Sequence, residues 1–259
     1  FGGRTPDLMT TKTGFITEAI NRAGLSDSVR VTNRELMRDI ASEIEWAKVS
    51  QVAPSDYIDE ISKRMQKPRV LPEQMVQIYT AYESVKKQEL AIDFEDVLLL
   101  CAAMLEEERE VRERVQDQYR YFTIDEYQDV SPVQQRLINA WLGKRNDICV
   151  VGDPAQTIYS FAGATSSFLT TFTSRFPDAE VIRLTSGYRS TPEITFAANA
   201  LLRTSSMGQE LTASNDHGHR PSVDGYKDEA AEIAGILAQI TTLLSQGTAP
   251  QEIAILART

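Results

Sequence analysis

The chain has 259 residues, of which 42% are hydrophobic and 25% charged, and its net charge is −10. This length suits one large domain or two, and the hydrophobic share is enough to build real cores. No uninterrupted apolar run reaches about 18 residues, and the first residues lack the apolar core of a signal peptide. Cys101 and Cys149 lie in apolar runs and are predicted to be buried thiols. We therefore expect a cytoplasmic protein with no membrane span.

The acidic balance is unusual for a nucleic-acid binder, because such proteins commonly carry a basic footprint. The excess is localised: residues 93–129 contain twelve acids and four arginines, and the rest of the chain is close to neutral. A protein that binds single strands by base stacking needs less positive charge than one that binds duplex backbone. The charge therefore does not exclude a single-strand binder.

Residues 1–90 are predicted to be helical. Thr32 and Glu35 have the spacing of a capping box, Pro54 and Pro72 stand where further helices begin, and each segment carries an apolar stripe at helical spacing. The helical pattern continues over residues 93–118. Ser131 and Pro132 then predict the start of another helix, which Gly143 ends.

Two short apolar runs are predicted to be buried strands that end in polar residues. Residues 121–124 run directly into Asp125 and Glu126, and residues 148–151 run into a loop with Asp153 and Gln156. In open α/β sheets, ligands bind beyond the carboxyl ends of the strands. Two strands that deliver polar groups to one edge are typical of a nucleotide site. For the acidic pair alone, a solvated turn after a strand is the competing interpretation.

The remaining chain continues an alternation of strands and helices. We predict helices over residues 166–175 and 228–245 and strands over 180–184, 223–226 and 252–256. His217 and His219 lie in a polar stretch without nearby cysteines, so we expect no metal site there.

Three sets of residues, in this order, resemble consecutive motifs of superfamily 1 DNA helicases of the UvrD/Rep/PcrA type. They are residues 125–129 (Asp-Glu-Tyr-Gln-Asp), residues 156–164 with Gln156, Tyr159 and Gly163-Ala164, and residues 187–191 (Gly-Tyr-Arg-Ser-Thr). Residues 92–96 (Ile-Asp-Phe-Glu-Asp) resemble a further signature of the family. The resemblance is strongest over residues 92–192.

This resemblance implies an ATP and Mg²⁺ site. By the family pattern, Asp125 binds Mg²⁺, Glu126 is the catalytic base and Gln156 contacts the γ-phosphate. Arg189 contacts the γ-phosphate from a second motor domain, and Tyr188 packs on adenine. The chemistry agrees, because a free carboxylate can accept a proton from water and a guanidinium can neutralise charge on a transferring phosphoryl group.

The resemblance also implies that single-stranded bases stack on Tyr159 and Phe161. Without the surrounding motif, both rings would more simply be core residues. Relatives commonly carry arginines where this chain has Ser160 and Ala162, and often a tryptophan where it has Phe161, so DNA contact here is expected to be weaker or differently tuned.

The implied fold class is α/β, with parts of two RecA-like P-loop NTPase motor domains and a helical insertion. We assign residues 1–90 to the insertion, 91–177 to the first motor domain and 178–259 to the second. The sequence has no G-x-x-x-x-G-K-[ST] phosphate loop. We therefore expect an internal part of a larger helicase, inactive alone, that as a whole moves 3′ to 5′ on single-stranded DNA and unwinds duplex junctions in repair or replication. A helicase–nuclease subunit and a non-catalytic DNA-binding scaffold remain alternatives.

Overall fold

The structure is a computed structural model that describes residues 3–64, 67–204 and 208–257. By its internal contacts the chain divides into two compact units. The first runs through Arg183 and also takes Gly208 and Gln209, and the second comprises the described residues from Leu184 to Thr204 and from Glu210 onward. Both helices and parallel strands are present, in agreement with the expected α/β class.

The first unit begins with a helical part. Its elements are β1 (Asp7–Leu8), α1 (Thr13–Arg22), α2 (Arg34–Val49), α3 (Tyr57–Ser62), α4 (Pro72–Glu89) and β2 (Ala91–Ile92), with β1 and β2 paired in parallel. A large apolar cluster lies between the helices, and its fully buried members include Ile16, Ile44, Tyr57 and Ile78. The apolar stripes predicted for these helices are largely this core.

The ends of these helices follow from local chemistry. Pro72 occupies the first turn of α4, as predicted, where its missing N–H has no helical partner to lose. The start of α2 differs from the Thr32–Glu35 capping box. The cap is Asn33, whose side-chain oxygen accepts from the backbone N–H groups of Glu35 and Leu36.

The rest of the first unit surrounds one pair of strands. Its helices are α5 (Phe94–Glu107), α6 (Arg109–Gln118), α7 (Pro132–Leu142), α8 (Ser167–Thr170) and α9 (Phe172–Arg175). The strands β3 (Phe122–Ile124) and β4 (Ile148–Val150) run in parallel, with Phe122 opposite Ile148 and Ile124 opposite Val150. Helix α7 connects them and starts with the predicted cap, a reciprocal box between Ser131 and Gln134. It ends at Gly143, whose φ is +65°.

The second unit contains β5 (Ser186–Gly187), α10 (Pro192–Leu202), β6 (Thr212–Ala213) and α11 (Glu229–Ser245). Strands β5 and β6 pair in parallel. The side chain of Asn199 fixes α10 to the start of β6 with two hydrogen bonds, one to the carbonyl and one from the N–H of Leu211.

Several sequence predictions are wrong in the described residues. Residues 180–184, 223–226 and 252–256 are not strands, and apolar side chains within them are highly exposed: Leu184 (77%), Val223 (99%) and Leu256 (95%). A strand needs a hydrogen-bonded neighbour, which its own sequence pattern cannot supply. The single helix predicted over residues 166–175 is interrupted at Thr171 and forms α8 and α9.

The thiols also differ from expectation, because Cys149 is exposed and Cys101 is only half-buried; both are free. Strand β4 alternates its side chains, so Cys149 faces away from the half-buried Ile148 and Val150. Within the described ranges, no helix is both long and apolar enough to cross a bilayer.

Candidate functional site

The parallel pairing of β3 and β4 brings two polar loops to one edge of the sheet. The N–H of Val151 donates to the carbonyl of Ile124 at 2.8 Å, and the N–H of Tyr127 donates to the carbonyl of Val151 at 2.9 Å. The ladder therefore continues past the last strand residues. Asp125 and Glu126 lie at the same edge as the loop that carries Asp153 and Gln156, which is the arrangement on which the sequence prediction depends.

Asp125 and Glu126 are both exposed at this edge. Glu126 adopts a left-handed backbone conformation with φ of +50° and ψ of +40°, which is uncommon for a residue with a side chain. Its N–H donates to Asp125 Oδ1 at 2.9 Å. The turn therefore directs two adjacent carboxylates outward, and such conformations occur preferentially at functional sites.

Gln128 connects the two loops. Its side chain is 1% exposed, and its amide nitrogen donates to Glu126 Oε2 at 2.7 Å. Its amide oxygen accepts from the backbone N–H of Asp153 at 3.0 Å. Gln128 thus joins the acidic turn to the second loop through the two ends of one amide.

A glycine makes this connection possible. A Cβ atom on Gly152 would lie 2.6 Å from Gln128 Oε1 and 2.9 Å from Leu169 Cδ2. Both distances are shorter than side-chain contacts allow, so the amide reaches the second loop only because residue 152 has no side chain.

Gln156 is held at the end of the same hydrogen-bonded chain. Its amide nitrogen donates to Asp153 Oδ2 at 3.0 Å, while Asp153 Oδ1 accepts from the N–H of Ala155 at 2.9 Å. The side chain of Gln156 is exposed at the sheet edge. From Glu126 through Gln128 and Asp153 to Gln156, a continuous series of contacts spans both loops.

A cleft of about 520 Å³ opens beside the acidic turn and is lined by Asp125, Glu126 and Asp129 together with apolar side chains of β3 and α7. In the described structure, Asp129 Oδ1 is buried without a hydrogen-bond partner. Carboxylate oxygens are the ligands that Mg²⁺ prefers, and one buried acceptor is still free to receive a donor. The carboxylates present therefore fit a Mg²⁺ ion or its bound waters.

Two exposed aromatic rings follow Gln156. Tyr159 and Phe161 are 51% and 53% exposed, and their ring centroids lie 6.2 Å apart at an interplanar angle of 52°. They are therefore not core residues of the first unit, which was the simpler interpretation of the isolated sequence. Large exposed rings near one another are suited to stacking on bases.

The loop that carries these rings lies against α2. Gly163 has φ of +91°, and a Cβ atom there would lie 2.5 Å from Val49 Cγ2 and 3.2 Å from Ser50 Oγ. Ala164 is buried, and the N–H of Thr165 donates to the carbonyl of Val130. The Gly163-Ala164 pair of the motif is therefore where the loop packs onto the helical part.

In the second unit, Tyr188 and Arg189 follow β5 and are both exposed, Tyr188 at 76%. The side chain of Asn215, just after β6, donates to the carbonyl of Tyr188 at 2.9 Å and to that of Ser190 at 3.4 Å. Both motif side chains thus remain accessible while their backbone is fixed by a neighbouring loop.

Glu193, in the first turn of α10, accepts from the N–H of Gly218 at 2.9 Å and contacts His217 Nδ1 at 2.7 Å. The hydrogen bond from Gly218 and the contact with His217 lower the pKa of Glu193 to about 2. His217 therefore has a carboxylate partner in this unit. His219 is exposed.

A buried ionic cluster was not predicted from the sequence. Lys48 of α2 and Lys86 of α4 are 3% and 2% exposed, and both ammonium groups contact Asp93 and Asp96 at the start of α5. Glu83, Asp93 and Asp96 are close enough together to ligate a cation, but each already forms ion pairs with both lysines. The one available signal was the Asp93–Asp96 spacing, which is that of a capping box and forms one here.

Two family models match the chain. The UvrD/REP helicase N-terminal domain matches residues 7–177, and the UvrD-like helicase C-terminal domain matches residues 182–259.

Individual relatives agree with these matches. The chain is 41% identical to ATP-dependent DNA helicase UvrD2 of Mycobacterium tuberculosis (strain ATCC 25618 / H37Rv), over 97% of this chain and 36% of the relative. It is 31% identical to the putative ATP-dependent DNA helicase YjcD of Bacillus subtilis, over 72% of this chain and 25% of the relative. It is 30% identical to ATP-dependent DNA helicase PcrA of Leuconostoc citreum, over 88% of this chain and 30% of the relative.

The chain thus spans about a third of the length of these relatives. The N-terminal family model alone accounts for well over half of the residues, and it includes the two loops joined by Gln128. The predicted resemblance is confirmed: the chain belongs to the UvrD/REP helicase family.

Proposed function

We propose that this chain is part of an ATP-dependent DNA helicase that couples ATP hydrolysis to movement on single-stranded DNA. The observation that carries the proposal is the hydrogen-bonded series from Glu126 through Gln128 and Asp153 to Gln156. It joins an acidic turn to a polar amide at the carboxyl ends of two parallel strands. The two exposed rings of Tyr159 and Phe161 follow within the same loop.

Each residue of this edge has a role that its chemistry supports. Asp125 offers a carboxylate oxygen to Mg²⁺ or its waters, and Glu126 accepts a proton from the attacking water. Gln156 can donate to a phosphate oxygen and accept from water with the two ends of its amide. Bound ATP·Mg²⁺ would supply the transferable phosphoryl group and the charge that these side chains orient and stabilise.

The aromatic pair gives the DNA-binding half of the proposal. Every base presents a π-face, so Tyr159 and Phe161 can bind single strands without reading sequence, each worth about 1–3 kcal/mol. No basic footprint is required of the whole chain, which carries a net charge of −10.

We assign the γ-phosphate arginine to Arg189 and the adenine-packing ring to Tyr188. Residues 1–90 would be the helical insertion, 91–177 part of a first RecA-like domain and 178–259 part of a second. The 3′-to-5′ direction, duplex junctions as substrates and a role in repair or replication complete the proposal. The two free thiols favour the reducing environment of the cytoplasm.

A helicase subunit of a helicase–nuclease and a non-catalytic DNA-binding scaffold are the alternatives. The scaffold has no need for Asp125, Glu126 and Gln156 together at one edge, which favours the motor. A nuclease domain elsewhere in the complete gene product would favour the first alternative. Because the 259 residues contain no phosphate-loop motif, we expect this chain alone not to turn over ATP.

The test uses the complete gene product. In Glu126→Gln we expect DNA-stimulated ATP hydrolysis to fall by about 100-fold or more, because the general base is lost, with single-strand affinity retained. The matched control is Glu107→Gln, an exposed residue at the end of α5, which should hydrolyse ATP like the wild type. Full hydrolysis by Glu126→Gln would contradict the proposal. Hydrolysis by the 259-residue chain that this variant abolishes would contradict only the expectation that the chain alone is inactive.

A further inference from the structure

Lys48, Lys86 and Asp93 of the ionic cluster between three helices are almost completely buried, and Asp96 and Glu83 are partly exposed. The ammonium group of Lys48 lies 2.7 Å from both carboxylate oxygens of Asp93 and 2.5 Å from Asp96 Oδ1. Lys86 lies 3.0 Å from Asp93 Oδ2 and 2.6 Å from Asp96 Oδ2. The hydroxyl of Tyr82 also donates to Asp93 Oδ2 at 3.0 Å.

Such a cluster is a poor source of stability, because removing charges from water costs about as much as their attraction returns. The cluster instead restrains the rotation of α2 about its axis. Apolar packing holds α2 against the core through fully buried residues such as Ile40 and Ile44, but these contacts tolerate small rotations and shifts. The hydrogen bonds of Lys48 require one rotation of the last turn of α2.

That last turn also forms the surface on which the aromatic loop lies. Val49 and Ser50 are the two residues after Lys48, and their side chains surround the position where Gly163 has no Cβ atom. Trp46 Cδ1 lies 3.7 Å from the same position. A rotation of α2 about its axis would therefore move Val49 into, or away from, the backbone that follows Tyr159 and Phe161.

We propose that Lys48 is a positioning residue for single-stranded DNA binding. By holding the end of α2 to Asp93 and Asp96, it sets the surface against which Gly163 packs and hence the placement of the Tyr159–Phe161 rings. The inference rests on the proposed function, since it assumes that these two rings stack on bases.

Lys86 provides a matched comparison within the same cluster. It shares the carboxylates of Asp93 and Asp96, and it is equally buried. It belongs to α4, however, which packs on α1 and α3. Loss of either lysine leaves carboxylates short of one cation, so both losses should lower the melting temperature. Loss of Lys48 should also weaken DNA binding, whereas loss of Lys86 should not.

The experiment compares Lys48→Met, Lys86→Met and Gly163→Ala in the complete gene product, using a fluorescein-labelled oligo(dT) strand and thermal melting. Because the rings would lose part of their stacking, we expect the Kd for the strand to rise about fivefold or more in Lys48→Met and in Gly163→Ala. In Lys86→Met it should change less than about twofold. The KM for ATP should stay at the wild-type value in Lys48→Met.

Two ring variants, Tyr159→Ala and Phe161→Ala, distinguish the stacking role of the rings from the positioning role of Lys48. Their control is Tyr121→Ala, since Tyr121 is 83% exposed. If the ring variants bind the strand like the wild type, stacking fails and the role of Lys48 fails with it. If they bind weakly while Lys48→Met binds normally, only the role of Lys48 is overturned.

An equal rise in Kd for Lys48→Met and Lys86→Met would also overturn the positioning role of Lys48, because the cluster would then only maintain the fold. If Lys48→Met does not fold, Lys48→Arg replaces it, because this variant keeps the positive charge but changes the hydrogen-bond geometry at Asp93 and Asp96. Weaker strand binding than in Lys86→Arg supports the proposal, and unchanged binding overturns it.

Discussion

The side-chain carbonyl of Gln128 accepts a hydrogen bond of 3.0 Å from the backbone N–H of Asp153, 25 residues away. Its other end donates to Glu126. One buried amide therefore sets the separation between the acidic turn after β3 and the loop after β4. The last backbone hydrogen bond between the two segments joins Tyr127 to Val151, and the side chain of Gln128 extends the connection beyond it.

Replacing Gln128 with Met keeps the volume and removes both hydrogen bonds. We expect the free energy of unfolding to fall by about 1–3 kcal/mol, because the N–H of Asp153 loses its acceptor inside the protein. In the complete gene product, kcat for ATP hydrolysis should fall as well, since Glu126 loses its partner. Thermal melting and steady-state kinetics measure the two effects. Gln118→Met, at the exposed end of α6, is the control and should change neither; a normal melting temperature for Gln128→Met would refute the connection.

Gly152→Ala tests the close approach between the same two loops. The added Cβ would lie 2.6 Å from Gln128 Oε1, so the amide must move or the loop must shift, at a cost of about 1–3 kcal/mol. Chemical denaturation should report this loss. At Gly225 no atom lies within 4 Å of an added Cβ, so Gly225→Ala should unfold at the wild-type denaturant concentration. Equal stability of both variants would show that residue 152 is not packed as described.

Asp93 predicts a specific pH dependence. Burial alone would raise the pKa of its carboxyl, but Lys48 and Lys86 hold that pKa well below its ordinary value of about 4. The unfolded chain therefore binds this proton more readily than the folded chain. The stabilisation is complete above the ordinary pKa of aspartate and is lost as the pH falls toward the folded pKa.

Measured from pH 7 to pH 3, the free energy of unfolding should thus decrease toward acid pH, and Asp93→Asn should show a smaller decrease. At pH 7 this variant should already be less stable by about 3–5 kcal/mol, since two buried ammonium groups lose a partner. Asp27→Asn, at an exposed site, serves as the control and should follow the wild-type curve. The same slope in Asp93→Asn and wild type would exclude Asp93 as its source.

The parts of the fold that the sequence predicts well are those determined locally. Ser131 and Gln134 form their capping box within one turn, and Pro72 starts α4 because its ring suits the first turn. Strands were also predicted correctly before Asp125 and Gly152, since continuous β-branched and aromatic runs between polar segments are typical of strands. Their predicted burial is wrong, because each has an exposed central residue between two half-buried ones. For the candidate site, this places Asp125, Glu126 and Gln156 at one edge.

The parts of the fold that the sequence does not predict depend on residues that are distant in the chain. Residues 180–184 have a strand-like composition but no strand beside them in the described structure. Lys48 and Lys86 sit among helical residues that ordinarily face solvent, and their burial arises only because three helices converge on Asp93. The backbone conformation of Glu126, with φ above zero, is likewise one that its residue type does not favour.

Gln156 and Tyr159 are separated by only two residues. Gln156 ends one short 3₁₀ turn, and Tyr159 immediately precedes another. Three residues of backbone reach about 10 Å at full extension, so the two side chains leave the chain close together. If Gln156 contacts the phosphate and Tyr159 stacks on a base, the same short segment connects the two. A displacement of Gln156 would then be transmitted directly to the ring of Tyr159.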